Sequence, residues 1–451
     1  MGLPIEKLAQ FVACTHWNDV PDTVQHHTKL VLLDTLGVIL AGSERPENRE
    51  LRERLVPMAG TGATVYTRGW PGSDPRTAAL LNGIAGRSIE LCEGLRLVSG
   101  QPAIQILPGV LAVAEYARST GHEMLSAFLL GYDVSARLCT AFTPRPLAHQ
   151  NGQATLLAAV AAGARLRGLD AAGVSLAMRI ATSLVLTPSY TNAVAGATAL
   201  NVAGGMSGFA AVLVPDLVLA GFTAQDDAIE EALGQLVGGG FKPEGLLDEL
   251  GTRWEITRNY FRLYACCNPI HPALDALDAV LKKLKPEPAD VERVEFATYR
   301  FASVMRNPQP PNYFGSKYSL PHAAATMVVR GGAGYAMLDD AALTDPAIAA
   351  LRHRVYVTED PAMSAVAPCL RPARATVTLK DGRTATHEVE SHRGDFHQPY
   401  PESELHDKFR ELAGTVVSAE GVALIEQAVD RCEEWNSVHE LVDLLRRYGR
   451  S

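Results

Sequence analysis

Between Arg179 and Asp216 the chain carries no charged side chain. A stretch of that length must be covered, either by lipid or by other protein. Pro188, Tyr190, Thr191, Asn192, Asn201 and several glycines interrupt it. No clean apolar run reaches the roughly 18 residues that a bilayer span needs. The stretch therefore reads as a buried helix–loop–helix, with no membrane as partner, and it demands a helical body large enough to enclose it.

The rest of the chain supplies that body. The sequence has 451 residues and is 47% hydrophobic, enough for a large core and two domains. Up to about residue 265 the patterning is helical. "PDTVQHHTKLVLLDTLGVILAGS" opens on Pro-Asp, keeps apolar residues at helical spacing and closes on Gly. "QPAIQILPGVLAVAEYARSTG" repeats the plan, with Gly121 as the expected stop. "NGQATLLAAVAAGARLRGLD" is rich in Ala and Gly and suits a helix that approaches its neighbours closely in the middle of a bundle. After about residue 285 the pattern alternates. "VERVEFATYRF" and "HRVYVTED" read as strands, and "RATVTLKDGRTATHEVE" as a hairpin turning at Asp381-Gly382. "KYSLPHAAATMVVRGGAG" reads as a helix entered through Pro321, and two amphipathic helices follow residue 403. The predicted fold class is mainly α. A large helical domain comes from both chain ends, 1–268 and 400–451, and a smaller α+β lid domain, 269–399, is inserted between them.

Several function classes drop out on composition and motif. The net charge of −9 and the lack of a basic cluster speak against nucleic acid. Seven scattered cysteines, an odd number in a long chain, fit reduced thiols in the cytoplasm better than a disulfide framework. The start lacks a basic segment followed by an apolar run, so no signal peptide is read there, and Glu6 stands where a myristoylation signal wants Ser or Thr. There is no phosphate loop, dinucleotide fingerprint, C-x-x-C, H-E-x-x-H or G-x-S-x-G. "VGGGFKPEG" is Gly-rich but lacks the Gly-Lys-Ser/Thr ending. No cofactor and no metal are expected.

"NYFRLYACCNPIHPALDAL" gathers Arg262, Cys266, Cys267 and His271. Adjacent cysteines seldom reach one tetrahedral ion, and no second ligand pair is evident. The cysteines read as small buried hydrophobes, with Arg262 and His271 as site candidates in the wall of a cleft.

The succession "LLDTLGVILAG", "LPGVLAVAEYARSTGHEMLSAFLLGYDVSARL", "HQNGQATLLAAVAAGARLRGLD", "YACCNPIHPALDA", "KYSLPHAAA" and "DGRTATHEVESHRGDFHQPYPESELHDKF" resembles the MmgE/PrpD family over nearly the whole chain. Members of that family include 2-methylcitrate dehydratase, cis-aconitate decarboxylase and iminodisuccinate epimerase. The resemblance implies the two-domain plan above, a cleft at the junction and a homodimer. It places the family's His before the Ala-rich helix on His149 and its acidic stretch on "ELCE", with Glu90 and Glu93 at the matching places. Departures stand beside these matches. Gln101 replaces a His before Pro102, Arg262 replaces a Lys, and "AGATALNVA" lacks the lysine expected near 195–203. His322 stands where an aromatic is usual.

Family chemistry takes place next to a carboxylate, which calls for a base or acid and for cations or donors aimed at a developing enolate. The candidate catalytic residues are His149, Glu90, Glu93 and Lys317. Glu90 and Glu93 share a face if their stretch is helical, and Lys317 sits at a lid junction. The candidate substrate-binding residues are Gln101, Arg262, His271, Tyr318 and His322. The other histidines, His392 among them, lack context and read as surface residues. A replaced His and a missing Lys leave fewer cations. The expected substrate is therefore a small carboxylate or carbonyl compound less carboxylated than methylcitrate, processed by a lyase that eliminates water or carbon dioxide. Two alternatives use the same fold, namely an isomerase or epimerase returning the same proton, and a binding protein without catalysis.

Overall fold

The computed structural model describes residues 4–56, 60–97 and 100–450, and it is mainly helical. The first part of the chain forms helices α1 (Pro4–Cys14), α2 (Asp22–Gly42), α3 (Pro46–Leu55), α4 (Pro75–Arg87), α5 (Pro102–Ala117) and α6 (Gly121–Ala141). After these come α7 (Ala154–Leu166), α8 (Ala171–Ala181), the short α9 (Tyr190–Val194) and α10 (Val202–Leu219). Leu30 to Gly42 of α2 are buried without interruption, so α2 runs through the core rather than along its surface.

The charge-free stretch runs from the last residues of α8 through α9 into α10, and between α8 and α10 most of its residues are half-buried or exposed rather than enclosed. Thr198–Leu219 is long and apolar enough to cross a membrane by length and composition, with a mean hydropathy of 1.7. In the fold α10 packs against α4, α5 and α7. Glycine makes that approach possible. A Cβ built on Gly83 of α4 would lie 2.5 Å from the Gly204 carbonyl oxygen, and one on Gly163 of α7 would lie 2.0 Å from the Ala211 oxygen. Backbone meets backbone there, so no side chain can move aside. Gly83→Ala is expected to destabilise the protein by about 1–3 kcal/mol, the usual cost of overpacking. The measurement is the denaturant midpoint, and an unchanged midpoint would contradict the packing.

The two ends of the chain meet. The Lys408 ammonium, on the helix Glu402–Ala413, reaches Asp34 of α2 at 2.6 Å, with both groups buried. A Cβ on Gly37 would meet the Phe409 ring at 3.1 Å. Between these ends lies a four-stranded sheet in the order Val355–Glu359, Val291–Thr298, Ala373–Leu379, Thr384–Val389. Its first pair is parallel and the others antiparallel. Ala373, Ala375, Val377 and Leu379 alternate into the core against the helix His271–Leu284. Gly382, with φ 88°, supplies the left-handed residue of the hairpin turn.

Two local expectations fail. Gly121 does not stop a helix. Arg118 takes the left-handed cap position after Ala117, and Gly121 opens α6 behind a Thr120–Glu123 capping box. The Glu90–Glu93 stretch is not helical, because α4 ends at Arg87 and Glu90 itself adopts φ 51°. The two carboxylates therefore share no helix face.

Candidate active site

Glu90 lies at the centre of a buried ionic cluster. Its Oε2 takes Arg87 Nη1 at 2.9 Å, and its Oε1 takes Arg262 Nη1 at 2.7 Å. The same Arg262 nitrogen donates to the Glu90 carbonyl at 3.1 Å, and the Tyr318 hydroxyl donates to Oε2 at 3.0 Å. Arg262 also donates through Nη2 to the Tyr260 hydroxyl at 3.2 Å. Local sequence explains the arrangement. Arg87 is the last residue of a helix of small residues, and its stem packs so tightly that a Cβ on Gly204 would fall 2.9 Å from its Cγ. The left-handed turn at Glu90 then folds the carboxylate back under the guanidinium. A non-glycine residue in that conformation costs about 1–3 kcal/mol and persists only where its surroundings enforce it. Burial would push the Glu90 carboxyl up, but the Arg87 and Arg262 charges prevail and hold it at about 2.

Two guanidiniums thus face one carboxylate, a surplus of one positive charge. Among the described residues Arg87 Nε, Arg87 Nη2 and Arg262 Nε are buried and have no hydrogen-bond partner. Buried N–H donors left in that condition cost about 1–3 kcal/mol each, more when charged. The donor set suits a carboxylate, which can accept from several N–H groups at once.

Glu93 lies in a different setting. Its Oε2 accepts the Tyr132 hydroxyl at 2.6 Å and its Oε1 the Ala103 N–H at 2.9 Å, at the start of α5. Burial, with no cation paired to it, raises its carboxyl to about 7. Gln101 accepts the Asn151 side-chain amide at 2.7 Å. His149 is 2% exposed, and its Nδ1 accepts the Asn151 backbone N–H at 3.1 Å. Tyr190 stacks on the imidazole with centroids 4.6 Å apart, and Phe301, from the sheet region, meets Tyr190 edge-on at 4.9 Å. Burial, then the charge of Arg87, lowers the imidazole to about 3, and Glu90 and Arg262 also act on it. No hydrogen bond joins His149 to Arg262 among the described residues, and the influence of Arg262 on the ring is through its charge.

The remaining candidates divide. Tyr318 belongs to the Glu90 cluster. Nε2 of His271 donates to the Cys266 carbonyl at 3.0 Å, and its ring meets the edge of His392 at 5.6 Å. Lys317 is fully buried, but its ammonium donates to the Leu338 carbonyl and lies 3.9 Å from the Tyr313 ring centre. Burial brings that ammonium down to about 7. His322 accepts from Arg352 at 3.4 Å. Neither Lys317 nor His322 contacts Glu90 or His149 among the described residues. His392 is fully buried, bonded at 2.9 Å to Asn268, so its placement on the surface is corrected. Cys266 and Cys267 are buried free thiols, raised by burial, Cys266 to about 12.

Sequence reasoning missed Arg87, Tyr190 and Arg371. Arg371 is 5% exposed and donates to Asn268 Oδ1 and, at 2.8 Å, to the Arg96 carbonyl. It has no carboxylate partner among the described residues, whereas neighbouring Arg96 is paired with Asp395 at 2.6 Å. Its charge acts on both Tyr190 and Tyr260. The one usable signal for Arg87 was a lone cation ending the small-residue run "AALLNGIAGR". A cavity of about 580 Å³ is lined by Leu95, Ala148, Gln150, Tyr190, Arg258 and Phe301 among others. Arg87, Glu90, Arg262 and His149 are not on its wall, whereas Tyr190 and Phe301 are.

Residues 6–242 match the MmgE/PrpD N-terminal domain and residues 264–434 the MmgE/PrpD C-terminal domain. A cis-aconitate decarboxylase-like protein, oryM, of Aspergillus oryzae is 24% identical over 95% of this chain and 94% of its own. The cis-aconitate decarboxylase of Aspergillus terreus is 22% identical over 95% of this chain and 94% of its own. The human cis-aconitate decarboxylase is 24% identical over 94% and 91%.

Proposed function

The chain belongs to the MmgE/PrpD family as a divergent member, and on that footing we propose that it is a lyase acting on a small carboxylate bearing one or two carboxyl groups. The observation that carries this reading is the pair of guanidiniums on Glu90 with their unpartnered N–H groups. That cluster neutralises one substrate carboxylate. Arg371 is a second buried cation without a counter-ion, contributed by the region 269–399, and it allows for one more. With Arg87 and Arg371 counted beside the cations read from sequence, the reading becomes one or two substrate carboxylates, within the expectation of fewer than methylcitrate carries. A tricarboxylate such as cis-aconitate would bury a third charge against neutral Gln101 and neutral His149, at a cost of several kcal/mol. Closure of a lid carrying Phe301 and Tyr318 over the helical body would exclude water from the cluster. Exclusion of water strengthens each of these charge contacts.

The test is incubation of the purified protein in heavy water with mono-, di- and tricarboxylates, both α,β-unsaturated and hydroxy acids, followed by mass spectrometry. Loss of carbon dioxide or water from a mono- or dicarboxylate, in preference to a tricarboxylate, is expected. Preferred turnover of a tricarboxylate would contradict the charge reading. Deuterium exchange without net loss of mass would instead make the protein an isomerase.

A further inference from the structure

His149 is held by one nitrogen. The Asn151 backbone N–H donates to its Nδ1 at 3.1 Å. An amide N–H can only donate, so Nδ1 presents its lone pair and a neutral ring carries its proton on Nε2. Among the described residues Nε2 has no protein partner. The segment that delivers the amide is itself fixed. Asn151 donates its side-chain N–H to Gln101 at 2.7 Å, and the Gly152 N–H donates to Gln105 Oε1 at 2.7 Å. Gly152 takes φ 78°, and Leu186 would lie 2.8 Å from any Cβ there, so the turn belongs to glycine. Tyr190 covers one face of the ring. A second proton on Nδ1 would remove the hydrogen bond that it accepts from the Asn151 N–H, and the resulting cation would feel the charges of Arg87 and Arg262.

We propose that His149 works as a neutral N–H donor through Nε2 to an oxygen of the reacting substrate, not as the base that lifts a proton from carbon, and that the Asn151 amide is the positioning group that fixes this tautomer. Glu90, tied to two guanidiniums and a tyrosine, is not free to be that base either. The role rests on the carboxylate-lyase reading above and is followed through for decarboxylation, the branch that needs no base on carbon. The step needs a dicarboxylate: the bond between carbon and the departing carboxylate breaks, and its electron pair moves into the conjugated remaining carboxyl group to form an enolate. Nε2–H donates to the enolate oxygen, and carbon dioxide leaves. The carbon then takes one proton, which comes from solvent water. A neutral imidazole donating to a developing oxyanion is established chemistry, and a single such donor contributes about 10²–10³ in rate.

Two measurements separate this role from the reading it rests on. In ¹⁵N-histidine-labelled protein, with His149→Gln used to assign the signal, the ring is expected in the neutral Nε2–H form from pH 8 to pH 5. An Nδ1–H form, or an imidazolium appearing in that range, would overturn the proposal whether or not a substrate is known. With a carboxylate that turns over in heavy water, the product should gain one deuterium and recovered substrate none. His149→Ala should lower kcat by about 10²–10³, and His149→Gln, which keeps an N–H donor, by about tenfold less than that. Deuterium in recovered substrate, or equal loss in the two variants, would overturn the donor role while leaving the lyase reading in place. Failure of every carboxylate to react would overturn the lyase reading, with the tautomer still decided by the spectrum.

Discussion

Glu90→Gln is expected to destabilise the protein by about 3–5 kcal/mol, the range for breaking a buried ion pair from one side. The substitution removes the one negative charge that Arg87 and Arg262 share and leaves two guanidiniums facing each other in a dry site. The amide oxygen can still accept one N–H, but its NH₂ then points a donor at a guanidinium or at the Tyr318 hydroxyl. A domain's whole stability is about 5–15 kcal/mol, so the change should be visible as a large fall in the denaturant midpoint. The pH behaviour of the wild-type protein follows from the same contacts. The Glu90 carboxyl is held at about 2, below its ordinary 4.5. The folded-state value is lowered, so the stabilising contribution is complete above about pH 4.5 and is lost as pH falls through 2. Near neutral pH Glu90→Gln should therefore show its full deficit, with the gap to wild type narrowing only in strong acid. A short carboxylate added to the variant should restore part of the midpoint by pairing with the guanidiniums. A midpoint within about 1 kcal/mol of wild type would mean that the cluster is not a buried ionic one.

What the sequence made legible was periodic. The long helices, the Asp381-Gly382 hairpin and the helix entered through Pro321 follow from local spacing and turn chemistry, and each forms where its pattern stands. The charge-free stretch foretold burial, which holds for much of α10 through glycine-to-backbone contacts such as Gly83 on Gly204 but not for residues 182–199, most of which are half-buried or exposed. What stayed hidden depends on long-range pairing. Arg87 and Arg262 are far apart in sequence and meet only because α4 ends where it does and Glu90 turns left-handed. Helical spacing put Glu90 and Glu93 together, and that one backbone angle separates them into an ion-paired carboxylate and a carboxyl raised by burial. Arg371 stands in no motif, and only the fold shows that its partners are an amide and a carbonyl. Lys317, read as a residue that reaches the substrate on closure, is occupied by Leu338 and Tyr313 in the structure.

Arg87→Met addresses the positive surplus itself. With Arg87 removed, Glu90 and Arg262 form a one-to-one pair still supported by Tyr318, so the fold keeps a satisfied ion pair while the site loses its net charge. Met also fills much of the space beside Gly204 that the arginine stem occupies. Charged hydrogen bonds contribute about 1.5–3 kcal/mol each, equivalent to roughly 10–150-fold in binding. The most direct test is calorimetric titration of a short unsaturated dicarboxylate into wild type, Arg87→Met and, as a control, Arg145→Gln, with circular dichroism confirming that each is folded. Arg145 lines the cavity and donates to the Gln235 carbonyl at 2.9 Å. A loss of affinity of at least about tenfold in Arg87→Met, with Arg145→Gln close to wild type, is the expected result. Equal affinity in folded Arg87→Met and wild type would contradict the assignment of the Glu90 cluster as the carboxylate site.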